Sequence, residues 1–428
     1  MRRTIGLLYL FLLLTPMYAQ ITLEQCQELA QENYPLIKQF GLIEKTTAYS
    51  VSNARKMYYP QLVVSAQVTN QSEVSNLPPV MKAAYEQQSL TIEGLSKTQY
   101  KAALSLNQPL FDGGVSHAEK QIAKATGQVR TAGVVVDLYA VRKRVNELFF
   151  GVLLLQKRAK QNKITHHLLE RNVDLLKSRV KEGVLLQSDQ DALLVQLLLN
   201  EQQLVQIESA EKAYRKMLST FIGRELLPTN QLVKPILPTL TSLVVKRPEL
   251  DLFTLRAAAL DAQRKKLKTT LLPRIDAFAT GFYGYPGYDL FANMMHKELN
   301  FNFQVGVKLK WNITSFYTHR NKLNILKNEQ AMIDNERNLF LFSTSLQVTQ
   351  QQEEVDKMKA LLQTDQQIIQ LRTSIRKTAE QKLTNGVVVV HDLLREVTAE
   401  EQAHLQQMEH EISLLTYMYA LRNTVNEQ

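Results

Sequence analysis

Apolar and polar positions alternate along one short stretch of the chain, which then passes directly into a helical pattern. The apolar positions of this stretch are Tyr100, Ala102, Leu104 and Leu106. A period of two predicts a β-strand with one apolar face. We expect Pro109 to end the strand, because proline donates no ladder hydrogen bond. Gly113 and Gly114 are expected to form the turn into the helix.

A second stretch repeats this strand-to-helix pattern in the other half of the chain. Its apolar positions are Phe303, Val305, Val307, Leu309, Trp311 and Ile313. Several residues recur at offsets of 203 or 213 positions, namely the pairs Leu106–Leu309, Gly183–Gly386, Pro35–Pro248 and Pro60–Pro273. Matching offsets over most of the chain predict an internal duplication.

A long helix is predicted in each half. No proline occurs between Gly114 and Gly183, and apolar residues in this span are spaced alternately by four and three. The positions of this repeat are Val134, Leu138, Val141, Val145, Leu148, Val152 and Leu155. Such a heptad repeat predicts a coiled-coil helix, here about 100 Å long. The second half repeats the pattern from Phe316 to Asn385.

Each long helix is followed by a shorter helix that returns along it. We expect Gly183 to end the first long helix, and Ser188 and Asp189 to cap a return helix that runs to about Ile222. This return helix is about half as long as the long helix. The helical segment Ile21 to Met57 has the length needed to cover the other half. In the second half, the corresponding short segments are Asp392 to Val425 and Leu243 to Thr270.

These elements divide the chain into a signal segment, two repeats and a linker. Arg2 and Arg3, an apolar run and Ala19 predict a secretory signal peptide over residues 1–19. The first repeat is expected at residues 20–222, with a helix, two strands, a long helix and a return helix. A proline-containing linker follows at 223–241, and the second repeat spans 242–428.

Composition narrows the possible partners. The formal charge is +10, but no block of basic residues is interleaved with aromatic ones, so nucleic acid is not an expected partner. Cys26 is the only cysteine, which excludes an intramolecular disulfide. Gln20 follows the predicted cleavage site, where a lipoprotein would need cysteine. The predicted mature chain has no uninterrupted apolar run of about 18 residues, so any passage through a membrane would use strands.

The number of strands predicts an oligomer. Four strands of about 10–13 residues suit a tilted transmembrane strand, which needs about 9–11. Four strands do not close a barrel, and an open edge in lipid leaves backbone groups without hydrogen bonds. Two copies would supply about 8 strands and three about 12. We favour three, because two-fold symmetry would have to place parallel long coils around one axis.

With these elements in place, the sequence resembles the TolC family of outer-membrane efflux channels over nearly the whole predicted mature chain. The segments that carry the resemblance are Leu106–Gly114, Leu309–Tyr317, Asn33–Ile37, Arg247–Leu250, Arg179–Asp189 and Lys382–Asp392. The resemblance implies an α+β membrane protein that forms a homotrimer, with a barrel of about 12 strands in the outer membrane lipid of a Gram-negative bacterium. It also implies a helical tunnel in the periplasm, docked to a periplasmic adaptor protein and an inner-membrane pump of the RND or ABC type. Both small-molecule efflux and type I secretion are compatible with it.

The resemblance also implies roles for individual residues. The expected adaptor-contact tips contain Arg179, Gly183, Ser188, Asp189, Lys382, Gly386 and Asp392. Asp392 and Arg395 are expected at the periplasmic constriction. Leu383 and Val388 occupy the positions at which related channels carry a tyrosine and an arginine that help close the gate. The residues expected to face lipid are Leu104, Leu106, Phe303, Val305, Val307 and Leu309.

Catalytic chemistry is not expected, because no HExxH, P-loop or nucleophile-elbow motif occurs. We therefore expect no enzyme activity, cofactor or metal. Adjacent His166 and His167 do not share a helix face, which favours packing over metal binding. Glu401 and His404 form one di-iron-type motif, but such a site needs two motifs and two further glutamates. The alternative function is a secreted or envelope-anchored coiled-coil scaffold or adhesin, which explains the heptads but not the paired strands.

Overall fold

The chain alternates short helices, strands and very long helices in the same order twice. A computed structural model describes residues 20–227 and 229–427, so the predicted signal peptide lies outside the described residues. The helices are α1 Leu23–Asn33, α2 Lys38–Lys56, α3 Pro79–Glu86, α4 Val115–Lys181, α5 Gln187–Ile222, α6 Pro248–Thr269, α7 Leu290–Met295, α8 Ser315–Thr384 and α9 Val390–Val425. The strands are β1 Gln61–Asn70, β2 Thr98–Phe111, β3 Arg274–Tyr285 and β4 Asn300–Lys310.

The two halves agree closely in the lengths of their elements. The long helices α4 and α8 contain 67 and 70 residues, and the return helices α5 and α9 contain 36 each. The strands contain 10, 14, 12 and 11 residues. The predicted fold class is therefore confirmed: an internally duplicated chain of long antiparallel helices with four strands.

Several predicted boundaries are wrong, and prolines account for most of the differences. Pro35 divides the first helical segment, and a 3-10 turn separates α1 from α2. Helix α6 begins at Pro248 because proline suits the first turn of a helix, where its missing N–H is not needed. Strand β2 continues past Pro109 to Phe111 by a shift in register beside the proline. Strand β4 ends before Trp311, whose indole N–H donates to the carbonyl of Leu271 at 3.0 Å.

The described residues fall into two compact units, and each unit takes segments from both repeats. One unit contains the described residues of 1–40, 132–251 and 336–428, and it is helical. The other contains 41–131 and 252–335, including all four named strands. Within the part of the chain that the structure describes, no helix is both long enough and apolar enough to cross a membrane.

The core of the helical unit forms where α4 meets α1, α5 and α9. The heptad residues Val145 and Val152 of α4 are fully buried, as is the neighbouring Phe149. Phe150 packs edge-on against Phe149 with ring centroids 6.0 Å apart, and its other neighbour is Tyr419 of α9 at 5.5 Å. The predicted seam is thus buried. Its burial supplies the apolar contact that holds the long helix against shorter ones.

Cys26 of α1 lies inside this core and is free. Burial is the main reason that the pKa of its thiol rises to about 12, and the nearby Glu24 carboxylate adds to the effect. The thiolate is the reactive form of cysteine, so Cys26 acts here as a small apolar residue.

Glu411 connects three segments at the surface of this core. Lys157 of α4 and Lys234 of the linker each donate a hydrogen bond to its carboxylate. Partial burial alone would raise the pKa of Glu411, but the two lysines outweigh burial and lower it below its ordinary value of 4.5. A lowered carboxyl pKa adds stability that is present above the ordinary pKa and is lost as pH falls through the folded-state pKa.

We therefore expect Glu411→Gln to destabilise the protein at pH 7 by about 0.5–1 kcal/mol, allowing for solvent screening of a partly exposed site. The difference from wild type should shrink as pH falls through the lowered folded-state pKa of Glu411, and it should vanish only at a pH well below that pKa, where the wild-type carboxyl is itself protonated. Thermal unfolding in detergent at both pH values measures this. Glu208→Gln, which removes only an exposed 3.3 Å pair with Lys163, is the control and should have little effect at either pH. An equal loss at both pH values would contradict the electrostatic explanation.

The strands form one antiparallel sheet in the order β1–β2–β3–β4. Residues directly opposite each other in such a sheet point to the same side. One row across the sheet is Val64, Leu104, Gly281 and Phe303, and the next row on the same side is Leu62, Leu106, Ala279 and Val305. This face is apolar, and the Phe301 ring packs 3.3 Å from where a Cβ of Gly281 would lie.

The opposite face of the sheet is mainly polar. One of its rows is Val63, Ser105, Thr280 and Gln304, and others contain Gln61, Asn107, Gln67, Lys101, Asn300 and Asn302. Two phenylalanines interrupt the polar face. Phe278 covers Gly306, and Phe282 lies under the ammonium group of Lys101 at 4.2 Å. The alternation read from the sequence therefore corresponds to two chemically distinct faces.

Candidate functional site

Each long helix ends in the same turn, and these two turns are the tips that the sequence singles out. At the first tip, the N–H groups of Gly183 and Val184 donate to the carbonyls of Val180 and Arg179, both at 3.0 Å. At the second tip, Gly386 and Val387 donate to Leu383 and Lys382 at 3.0 and 2.9 Å. This pair of bonds is the Schellman motif, which satisfies the last carbonyls of a helix.

The tip glycines are required by backbone conformation. Gly183 has φ +73° and Gly386 has φ +69°, so both occupy the left-handed region. No atom lies within 4 Å of where a Cβ would be at either described glycine, so lack of space does not explain them.

The aspartates after the tips have different surroundings. Helices α5 and α9 begin at Gln187 and Val390, so Asp189 and Asp392 are each the third residue of their helix, and Ser188 is already helical. Oδ2 of Asp189 accepts a hydrogen bond from the N–H of Leu186 at 3.3 Å. Asp189 therefore caps α5 with its side chain, although it is itself the third residue of that helix. Ser188 does not occupy the cap position that the sequence predicts.

Asp392 is instead next to a row of charged side chains on α8 and α9. Its Oδ1 is 3.9 Å from Nη1 of Arg395, while Nε of Arg395 is 3.1 Å from Oε1 of Glu396. Glu396 also lies 3.6 Å from Arg372. The Asp392 side chain is 38% exposed and that of Arg395 is 67% exposed, so their mutual attraction is weakened by water. Arg395 makes its shorter contact with Glu396, and it also forms a longer, solvent-screened ion pair with Asp392.

The tips are joined inside the chain by an apolar cluster, here called the tip cluster. Its buried members are Leu169, Leu176, Leu193, Leu383, Val390, Leu393 and Val397. Leu383 is 5% exposed, and Val388 packs against the cluster. Both positions expected near the gate therefore belong to an apolar contact between the helical hairpins.

Arg179 adds a polar link between the tips. Its Nη2 donates to the carbonyl of Thr384, at the end of α8, over 3.1 Å. Lys382, which corresponds to Arg179 in the second repeat, is exposed. The duplicated tips are thus equal in backbone geometry and unequal in side-chain contacts.

The residues expected to face lipid lie on the apolar side of the sheet. Phe303, Val305 and Val307 are each 67% exposed, Leu309 is 64% exposed and Leu104 is 52% exposed. Leu106 lies in the same row as Val305 and is half-buried. A surface of large apolar side chains at this exposure indicates an apolar surrounding or a partner.

Sequence reasoning missed the structure of the two strand-connecting segments. The β1–β2 and β3–β4 segments pack together through Ile92, Leu95, Tyr285 and Met294. Tyr288 lies against Phe282 at 5.2 Å, and its hydroxyl is 3.2 Å from Oε1 of Gln304 on the polar face. The β3–β4 segment therefore covers part of the polar face. Its aromatic residues were the available signal.

Comparison with known proteins gives the class of this fold. The outer membrane protein VceC from Vibrio cholerae superposes with a TM-score of 0.67 at 15% identity, covering 94% of this chain and 95% of that chain. The outer-membrane channel OprN gives 0.68 at 15% identity, covering 95% and 90%. The MtrE outer membrane channel of Neisseria gonorrhoeae gives 0.65 at 12% identity, covering 94% and 88%. The fold is that of TolC-like outer membrane channels.

The sequence comparison identifies a domain in the first half of the chain. The outer membrane efflux protein family matches residues 27–224, which include the first tip and the first pair of strands. A search of curated protein sequences finds no match. Residues 27–224 therefore carry an outer membrane efflux protein domain, and the whole described chain has a TolC-like fold.

Proposed function

We propose that three copies of this chain form one channel through the outer membrane of a Gram-negative bacterium, with the helical unit in the periplasm. The observation that supports this proposal is the sheet: one face is apolar and exposed, and β1 and β4 each have one neighbouring strand within the described sheet. Unpaired strand edges are not stable in lipid, so the edge of β4 must pair with β1 of another copy. Three copies complete a barrel of about 12 strands.

In this proposal the polar face of the sheet lines the pore, and the tips meet a periplasmic adaptor that couples the channel to an inner-membrane pump of the RND or ABC type. The tips suit docking because their glycine turns are exposed and identical in backbone, which gives the trimer six similar contact points, two per chain. The exported substrate would enter past Asp392 and leave through the barrel, in efflux or type I secretion.

The oligomer and the channel are tested together. Protein extracted from outer membranes should have the native mass of three chains and should migrate faster on unboiled than on boiled gels. It should also conduct ions in planar bilayers. Monomeric protein recovered from the aqueous fraction would instead support the coiled-coil scaffold or adhesin.

A separate prediction concerns Asp392 at the expected periplasmic constriction. If three Asp392 carboxylates surround the axis, they attract cations, and Arg395 offsets part of this charge through a long ion pair that water screens. Asp392→Asn should therefore change single-channel conductance or block by divalent cations, with less than about 1 kcal/mol lost in stability. Asp189→Asn is the matched control, since that carboxylate caps its helix. It should affect stability more than conductance, and the opposite pattern would place the constriction elsewhere.

A further inference from the structure

A cluster of two histidines and a glutamate lies on α4, within the helical unit and apart from the tip residues. One ring nitrogen of His166, one of His167 and one carboxylate oxygen of Glu170 all lie within 4.8 Å of one another. His166 and His167 are adjacent and their Cα–Cβ bonds point about 100° apart around the helix. Glu170 is four residues from one and three from the other, so it shares a helix face with each. It brings together two side chains that adjacency alone would keep apart.

Contacts already present in the cluster order the donor atoms. Nδ1 of His167 is 3.4 Å from Oε2 of Glu170. The two imidazole rings lie edge to face, with centroids 6.0 Å apart. A second carboxylate approaches from α5, where Oε1 of Glu201 is 3.2 Å from Nε2 of His166. The donor group on α4 therefore consists of His166, His167 and Glu170, and Glu201 of α5 contacts its His166 member.

We propose that His166, His167 and Glu170 bind a divalent transition-metal ion of the zinc class, with Glu201 fixing the orientation of His166. Imidazole and carboxylate donors suit Zn²⁺ and Ni²⁺, whereas Mg²⁺ and Ca²⁺ take oxygen ligands. Metal-binding histidines commonly have a carboxylate at the second ring nitrogen, and Glu201 is placed for that role. Water completes the ligand set, as it does in open sites with three protein ligands.

The required movement is small. Donors bonded to zinc at 2.0–2.2 Å in a tetrahedron lie about 3.4 Å apart, so donors that lie within 4.8 Å of one another need to approach by at most about 1.4 Å. The His167 and Glu170 side chains are 78% and 55% exposed, so they can rotate without disturbing a packed core. His166 is 25% exposed and held by Glu201, which gives the site one fixed ligand. The bound ion would connect α4 to α5 through His166 and Glu201.

Zinc chloride titration of the detergent-purified full mature chain tests the site, with an affinity tag that contains no histidine. Isothermal titration calorimetry should show saturable binding of one zinc ion per chain. The His166→Gln/His167→Gln variant should lose this binding by at least about 100-fold, and Glu201→Gln should weaken it by about 10-fold or more. His296→Gln, an exposed histidine outside the cluster, is the matched control and should bind as wild type.

A thermal readout distinguishes this site from zinc bound elsewhere. A ligand that binds only the folded state raises the unfolding temperature, so zinc should raise it for wild type and His296→Gln and not for the double-histidine variant. Glu170→Gln supplies an independent single change if the double variant is unstable, and it should lose the shift as well. Absence of saturable binding to wild type, or equal binding by wild type and the double variant, overturns the proposal.

Discussion

Val305→Arg should prevent assembly of the protein in the outer membrane. Val305 lies on the apolar face of β4, opposite Ala279 of β3, and is 67% exposed in the single chain. An arginine on the lipid face near the middle of the bilayer costs about 2–4 kcal/mol per chain. Three copies in a proposed trimer triple this cost. We expect the heat-modifiable trimer to fall to background in outer-membrane fractions, measured on unboiled gels with an antibody against the chain.

The neighbouring residue gives a matched control for this prediction. Gln304 lies on the opposite face of the same strand. It pairs with Thr280 of β3, and its Oε1 is within hydrogen-bond distance of the Tyr288 hydroxyl. Gln304→Arg adds the same charge one residue away, into the surroundings that we assign to the water-filled pore. It should assemble nearly as well as wild type and alter conductance. Equal loss of trimer from both variants would reject the assignment of the two faces.

Periodic sequence features predicted the elements of this fold well. The alternation around Leu104 and Val305 defined two of the strands, and the heptad residues from Val134 to Val152 defined the buried seam of α4. Each of these patterns reflects a local rule, the period of a strand or of a coiled-coil helix, so it can be read without knowing the rest of the fold. Internal duplication strengthened the reading, because the same elements had to appear twice.

The boundaries marked by proline were predicted less well. Pro109 removes one donor from β2, and the sequence does not show that a shift in register opposite β3 would let the strand continue. The alternation past Lys310 continued through Trp311, but the chain turns there. Strand ends depend on whether a partner strand is still alongside, and this is a property of the sheet.

The side-chain contacts at the candidate sites lay beyond local rules. The 3.1 Å bond from Arg179 to Thr384 joins residues 205 positions apart, and the competition between Glu396 and Asp392 for Arg395 depends on rotamers. The packing of Tyr288 on Phe282 requires the β3–β4 segment to fold back over the sheet. Sequence reasoning identified the tip residues as candidates but could not predict which of them touch.

The tip cluster differs from the polar closing contacts that the TolC resemblance implies near Leu383 and Val388. Leu383 and Val388 occupy positions where related channels are expected to use polar closing contacts, and the structure places both among apolar side chains. Apolar contacts are not directional and weaken little with salt. If this cluster holds the periplasmic constriction closed, opening of the constriction should respond to loss of packing and only weakly to ionic strength.

Leu393→Ala should therefore loosen the tips by a large amount. Leu393 of α9 is fully buried in the tip cluster beside Leu383 and Leu193. Removing a buried leucine side chain costs about 2–5 kcal/mol, partly through lost apolar burial and partly through the cavity that remains. Because the tip is one end of a very long hairpin, this cost should appear as local opening and not as global unfolding.

Hydrogen exchange measured by mass spectrometry tests this expectation. Peptides that cover the ends of α4 and α8 and the starts of α5 and α9 should exchange at least about 30-fold faster in Leu393→Ala, the rate equivalent of about 2 kcal/mol. Peptides from the core around Phe149 should keep wild-type protection. Leu186→Ala removes a leucine that is 71% exposed at the same tip, so its exchange should stay close to wild type. If the tip peptides of Leu393→Ala and Leu186→Ala exchange at the same rate, the cluster does not hold the hairpins together.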